Sequence, residues 1–117
     1  MDSPRIEDRA SHLEISLSAS GFGHVSFVDV LAAASRLYGA KPILLICNDS
    51  SDIIGAGRAY DIGVELSMKL PLGRVAIALT GRKSSTADRF TELVAENRGA
   101  QVRYFESVER AKAWLGV

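Results

Sequence analysis

The run Ile43-Leu44-Leu45-Ile46-Cys47, bounded by Pro42 and Asn48, constrains this chain more than any other stretch. Five consecutive apolar residues give no amphipathic period. A strand that is apolar on both faces must be covered on both, which is the situation of a parallel sheet flanked by helices. The run is therefore expected to be the central strand of an α/β domain.

Its surroundings support that expectation. From His12 to Ser18 the residues alternate, with Leu13, Ile15 and Leu17 on one side and His12, Glu14, Ser16 and Ser18 on the other, as in a half-buried strand. Ile6 to Arg9 is a candidate partner strand, with Ala10-Ser11 closing the turn. Apolar residues at Phe27, Leu31, Ala34 and Tyr38, flanked by Val28, Val30 and Leu37, predict a helix over about 26–38, with Gly39 as its C-terminal cap. A second helix is predicted over 58–70 from Ala59, Ile62, Leu66 and Leu70, ended by Pro71 and Gly73. Arg74 to Thr80 reads as a strand, with Val75, Ile77 and Leu79 facing one way and the smaller Ala76 and Ala78 the other.

Ser84 or Ser85 opens the next helix. Ser85 with Asp88 has the spacing of a capping box, and Ala87, Phe90, Leu93 and Val94 are expected to form the buried stripe. A strand at Val102 to Phe105 and a helix over 107–115, with Val108, Ala111, Trp114 and Leu115 inward, complete the chain. Strands alternating with helices call for right-handed βαβ units and a mostly parallel sheet. With 117 residues, one domain is expected, and no linker or repeat divides it.

The ending Val102-Arg103-Tyr104-Phe105-Glu106-Ser107-Val108-Glu109-Arg110-Ala111-Lys112-Ala113-Trp114-Leu115 resembles that of the SpoIIAA-like family of bacterial proteins. In that family a strand closes on Phe, a capped turn follows, and the last helix finishes in Ala-x-Ala-Trp-Leu. The family shares its fold with STAS domains and the CRAL-TRIO lipid-binding domain. The resemblance implies a (βα) superhelix around a four- or five-stranded sheet, a dimer in many cases, and a regulatory or binding role without catalytic residues. It also draws attention to Asn48-Asp49-Ser50-Ser51-Asp52, which is similar to the Asp-Ser-Ser-Gly turn phosphorylated in STAS antagonists. Ser50 and Ser51 are thus phosphorylation candidates, against the alternative of a solvated strand-end turn. Asp52 stands where the motif has Gly, and phosphate there would sit beside Asp49 and Asp52.

Charge and chemistry narrow the function classes. Fourteen basic and fourteen acidic residues cancel, which removes the long-range attraction that nucleic acid would need. The start of the chain has no apolar signal-peptide core, and no apolar run approaches the roughly 18 residues that span a bilayer. A cytoplasmic location without an integral membrane segment is expected. One cysteine, Cys47, makes neither a disulfide nor a cysteine-rich zinc site, and its apolar strand suggests an inert core thiol. His12 and His24 lack partners at metal-ligand spacing. The carboxylates fall mostly on predicted solvent faces. No catalytic residue, metal or cofactor is called for.

Two binding candidates remain. Thr80-Gly81-Arg82-Lys83-Ser84-Ser85-Thr86 joins a strand end to a helix start, where Arg82, Lys83, Ser84 and Ser85 could hold an anion; the alternative is an ordinary N-cap with solvated charges. On the 58–70 helix, Tyr60, Val64 and Met68 form a second apolar stripe opposite the first, giving an apolar arc of roughly 240°, wider than a surface helix carries. A second subunit, the neighbouring helix or an apolar ligand could cover it. The expectation is a non-enzymatic interaction domain, as a homodimer or with a protein partner. The alternative is a small carrier or sensor of an apolar or anionic ligand, which would need a pocket of at least about 300 Å³.

Overall fold

The apolar run is the middle strand of a five-stranded sheet. In the computed structural model, which describes residues 5–18, 27–39, 41–48, 56–70, 74–80 and 85–117, the elements are β1 (Arg5–Asp8), β2 (Leu13–Ser18), α1 (Phe27–Tyr38), β3 (Ile43–Asn48), α2 (Ala56–Lys69), β4 (Arg74–Thr80), α3 (Thr86–Asn97), β5 (Gln101–Phe105) and α4 (Val108–Leu115). The strands lie in chain order, β1-β2-β3-β4-β5. β1 runs antiparallel to β2, through a tight turn that Arg9 N–H closes on the His12 carbonyl at 3.0 Å. The other three pairings are parallel.

Sequential order decides where the helices go. Each parallel step moves one position in the same direction, and crossovers of one hand then carry every connecting helix to the same face. Val28, Leu31 and Ala34 of α1, Ile62 and Leu66 of α2, and Ala95 of α3 accordingly share one core with Leu13, Ile15, Ile43, Leu45, Val75 and Ile77 of the sheet. Among the described residues, α4 alone, which follows the last strand, lies on the opposite face. There Ala111 and Leu115 pack on Leu44, Ala76 and Ala78, with Ile46, Phe105, Val108 and Trp114 around them. The alternation of β4 thus has a purpose on each side, large residues under three helices and alanines where a single helix comes close.

Toward β1 and β2 the second face turns polar. Glu14, on β2, is ringed by Arg9 at 3.5 Å, His12 at 3.6 Å and Lys112 at 4.0 Å. Arg9 also pairs with Glu7 at 2.6 Å, and Lys41 ties β1 to the start of β3 through Asp8 at 2.6 Å. His12, expected on the solvent side of β2, is buried, with Nδ1 2.9 Å from the Ser11 hydroxyl.

Helix α3 departs furthest from expectation. Phe90 and Leu93, read as part of its buried stripe, are 37% and 52% exposed, while Asp88, Thr91 and Glu92 are buried beside Val94 and Ala95. Each buried polar side chain has a backbone partner that removes the cost of burying it. Asp88 accepts the Ser85 N–H at 2.8 Å, the Thr91 hydroxyl donates to the Ala59 and Ala87 carbonyls at 3.2 and 3.1 Å, and Glu92 accepts the Tyr104 N–H at 2.6 Å. The same polar pattern corrects the expectation that carboxylates stay on solvent faces. Tyr38 and Leu37, read into or beside the apolar stripe of α1, are exposed on its last turn, before Gly39 reverses the chain at φ +95°.

Candidate functional site

The predicted site residues fall into three groups. Ser50 and Ser51, and likewise Arg82, Lys83 and Ser84, lie outside the described residues. Ser85 is the N-cap of α3: its hydroxyl accepts the Asp88 N–H at 3.2 Å while the Asp88 carboxylate accepts the Ser85 N–H, so both arms of the predicted capping box are present. Tyr60, Val64 and Met68 are the group whose surroundings can be described side chain by side chain.

They sit on α2, and the approach of α2 to α3 sets their exposure. Gly63 is the closest point. A Cβ there would stand 2.8 Å from Val94 Cβ and 3.0 Å from the Thr91 carbonyl oxygen, so only glycine permits this helix separation. Ser67, one turn on, is also small, and its hydroxyl donates back to the Val64 carbonyl at 2.6 Å. Ala59, Ile62, Leu66 and Leu70 take the sheet side and are buried. The remaining arc holds Tyr60, Val64 and Met68. Val64 is half-buried, and the Arg98 guanidinium, just past α3, donates to the Tyr60 hydroxyl at 3.2 Å. Tyr60 nonetheless stays 45% exposed and Met68 72%.

Charged residues border this apolar surface. Lys69 donates to the Asp29 carboxylate and ties α2 to α1. That hydrogen bond, aided by the negative charges of Asp29 and Glu65, raises the Lys69 pKa above its ordinary 10.5, against partial desolvation and the repulsion of Arg36. α3 contributes Phe90 and Leu93 to the same outer layer. Sequence reasoning assigned these two to the core. The signal that could have placed them outside is the run Asp88, Thr91, Glu92, Ala95, which has the same helical spacing on the other side of the helix.

Chemically, this surface offers area and no reacting group. Cys47 is buried in the core beneath the helical layer. Among the described residues, no group of three or more His, Cys, Asp or Glu could hold a metal ion, and no helix is long and apolar enough to cross a membrane. A separate cleft of about 410 Å³ opens at the amino ends of β4 and β5, lined by Arg74, Glu96, Gln101 and Arg103 together with Val102, Trp114 and the turn at Gly99 and Ala100. No protein-family model matches the sequence, and no curated protein matches it.

Proposed function

We propose that the chain is a non-enzymatic, cytoplasmic interaction domain of the SpoIIAA/STAS-like kind. In this reading it acts by docking a second copy of itself, or a protein partner, on the outer face of its helical layer. The observation that carries the reading is the exposure of large apolar side chains on two helices that pack together, Met68 at 72% and Tyr60 at 45% on α2, and Phe90 and Leu93 on α3. Apolar residues gathered on adjacent helices, with Asp61, Lys69 and Arg98 at the border, have the composition of an interface core with a charged rim. The sequential parallel winding is compatible with the (βα) superhelix that the C-terminal resemblance implies.

Native mass spectrometry and sedimentation of the native protein and of Met68→Asp test it. The native chain is expected as a dimer or in a defined complex. Met68→Asp should weaken that association about thirtyfold or more, as for a central interface residue, with little change in thermal stability because the side chain is solvent-facing. Unchanged assembly in Met68→Asp would sink the reading. The carrier alternative draws support for an anionic ligand from the polar cleft at the amino ends of β4 and β5, whose lining does not include Tyr60, Val64 or Met68.

A further inference from the structure

We propose that the cleft at the amino ends of β4 and β5 binds a small ligand through an oxyanion, carboxylate or phosphate, held by Arg74 and Arg103. Strand alternation places both arginines on the α4 side. Val75 and Ile77 point into the helical core, Ala76 and Ala78 pack under α4, and Arg103 is the register partner of Ala76.

Arg74 is already held in position. Its guanidinium carbon lies 4.5 Å from the centroid of the Trp114 ring, and Nη2 donates to the Trp114 carbonyl at 2.8 Å. Phe105 supports the same indole, with ring centroids 5.8 Å apart. A cation stacked on an aromatic face and bonded at a helix C-terminus loses little freedom on binding a ligand. These contacts leave Nε buried without a hydrogen-bond partner. Among the described residues, neither Arg74 nor Arg103 has a carboxylate within ion-pair distance.

Charge in the cleft is therefore unbalanced. Among the described residues, two guanidiniums line it against one carboxylate, Glu96, with Gln101 adding an amide and the turn at Gly99 and Ala100 forming a wall. A partly buried guanidinium without a counter-charge is costly, and an oxyanion removes that cost with charge-assisted, fork-shaped hydrogen bonds. The volume, about 410 Å³, is in the range of small-ligand sites.

Trp114 is the only tryptophan in the chain and lines the cleft, so its fluorescence reports on this site alone. Inorganic phosphate and acetate are titrated separately at ionic strength held constant with chloride. A saturable change with one of them is expected, and which one responds identifies the oxyanion. Arg103→Gln, an exposed position that leaves the fold intact, should weaken the midpoint about tenfold or more. Arg74→Lys, which keeps the charge but loses the fork and the stack, should weaken it as well. Met68→Asp, outside the lining of the cleft, should titrate like the native protein, which separates this proposal from the docking reading. No saturable response to either anion overturns the proposal, and so does a native midpoint in Arg103→Gln.

Discussion

The Glu92 carboxylate accepts the backbone N–H of Tyr104 at 2.6 Å, and Arg89 holds the same oxygen at 2.7 Å. β5 is the last strand of the sheet, so this N–H belongs to a free edge that would otherwise pair with another chain. α3 thus serves as a layer of the core and as a clasp on the sheet edge. Its buried carboxylate is satisfied twice over, once by a cation and once by the strand.

Glu92→Ala is expected to destabilise the fold by about 2 kcal/mol, since the charge-assisted hydrogen bond to the Tyr104 N–H is lost together with the Arg89 ion pair. Glu92→Gln keeps an acceptor of the same shape and should cost about half as much. Urea unfolding gives the energies, and hydrogen exchange at the Tyr104 amide locates the effect. Exchange unchanged in Glu92→Ala would show that the clasp does not protect the edge.

The legibility of the fold follows from which partners were near in sequence. The covered run at Ile43 announces a central strand, the alternation of β4 assigns its two faces correctly, and Ser85-Asp88 reads as a cap because its partners are three residues apart. α3 was misread because Thr91 and Glu92 find their partners at Ala59 and Tyr104, 32 and 12 residues away. Without those partners, a helix carrying Phe90 and Leu93 is expected to bury them. The Arg74 cleft is invisible for the same reason, since Arg74 and Trp114 stand 40 residues apart and each has an ordinary place on its own element. It also lies at the amino ends of the strands, away from the carboxyl ends where ligands of parallel sheets usually gather. The Tyr60, Val64 and Met68 stripe was readable because one helix carries all of it.

The N-cap of α3 gives a smaller effect of known size. Ser85→Ala removes the acceptor for the Asp88 N–H and should cost about 1 kcal/mol. Ser85→Gly should cost a few tenths, because glycine adopts the cap conformation and leaves the amide open to water. A Ser85→Ala protein as stable as the native chain, measured by thermal unfolding, would show that the hydroxyl is not a source of the stability.

Lys69 supplies a pH dependence whose sign is determined. Its pKa is raised in the folded state, chiefly by the hydrogen bond to Asp29, so folding favours the protonated amine. The associated stability is fully present below the ordinary lysine value of 10.5 and is lost as pH rises through the raised folded value. In Asp29→Asn the Lys69 pKa, followed by the NMR shift of its ε-carbon, should fall toward 10.5. A titration that does not move would mean that the α1–α2 ion pair is absent in solution.

Gly63 carries the most specific prediction, because helix propensity and packing oppose each other there. In an isolated helix, Gly→Ala stabilises by about 1 kcal/mol. Here the new methyl group would meet Val94 Cβ at 2.8 Å, Val94 Cγ1 at 2.9 Å and the Thr91 carbonyl oxygen at 3.0 Å. Two of these three atoms belong to the backbone or are fixed to it, so a rotamer change cannot relieve the contact. α2 and α3 must move apart, at the usual overpacking cost of about 1–3 kcal/mol, and the separation also strains the Thr91 hydrogen bond to Ala59. Gly63→Ala should therefore lower the melting temperature by several degrees despite its better propensity. Adding Val94→Ala removes only the Cγ1 contact and should not restore the native value, because Cβ and the Thr91 carbonyl remain. A Gly63→Ala protein more stable than the native chain would show that propensity wins and that the two helices are not held this close.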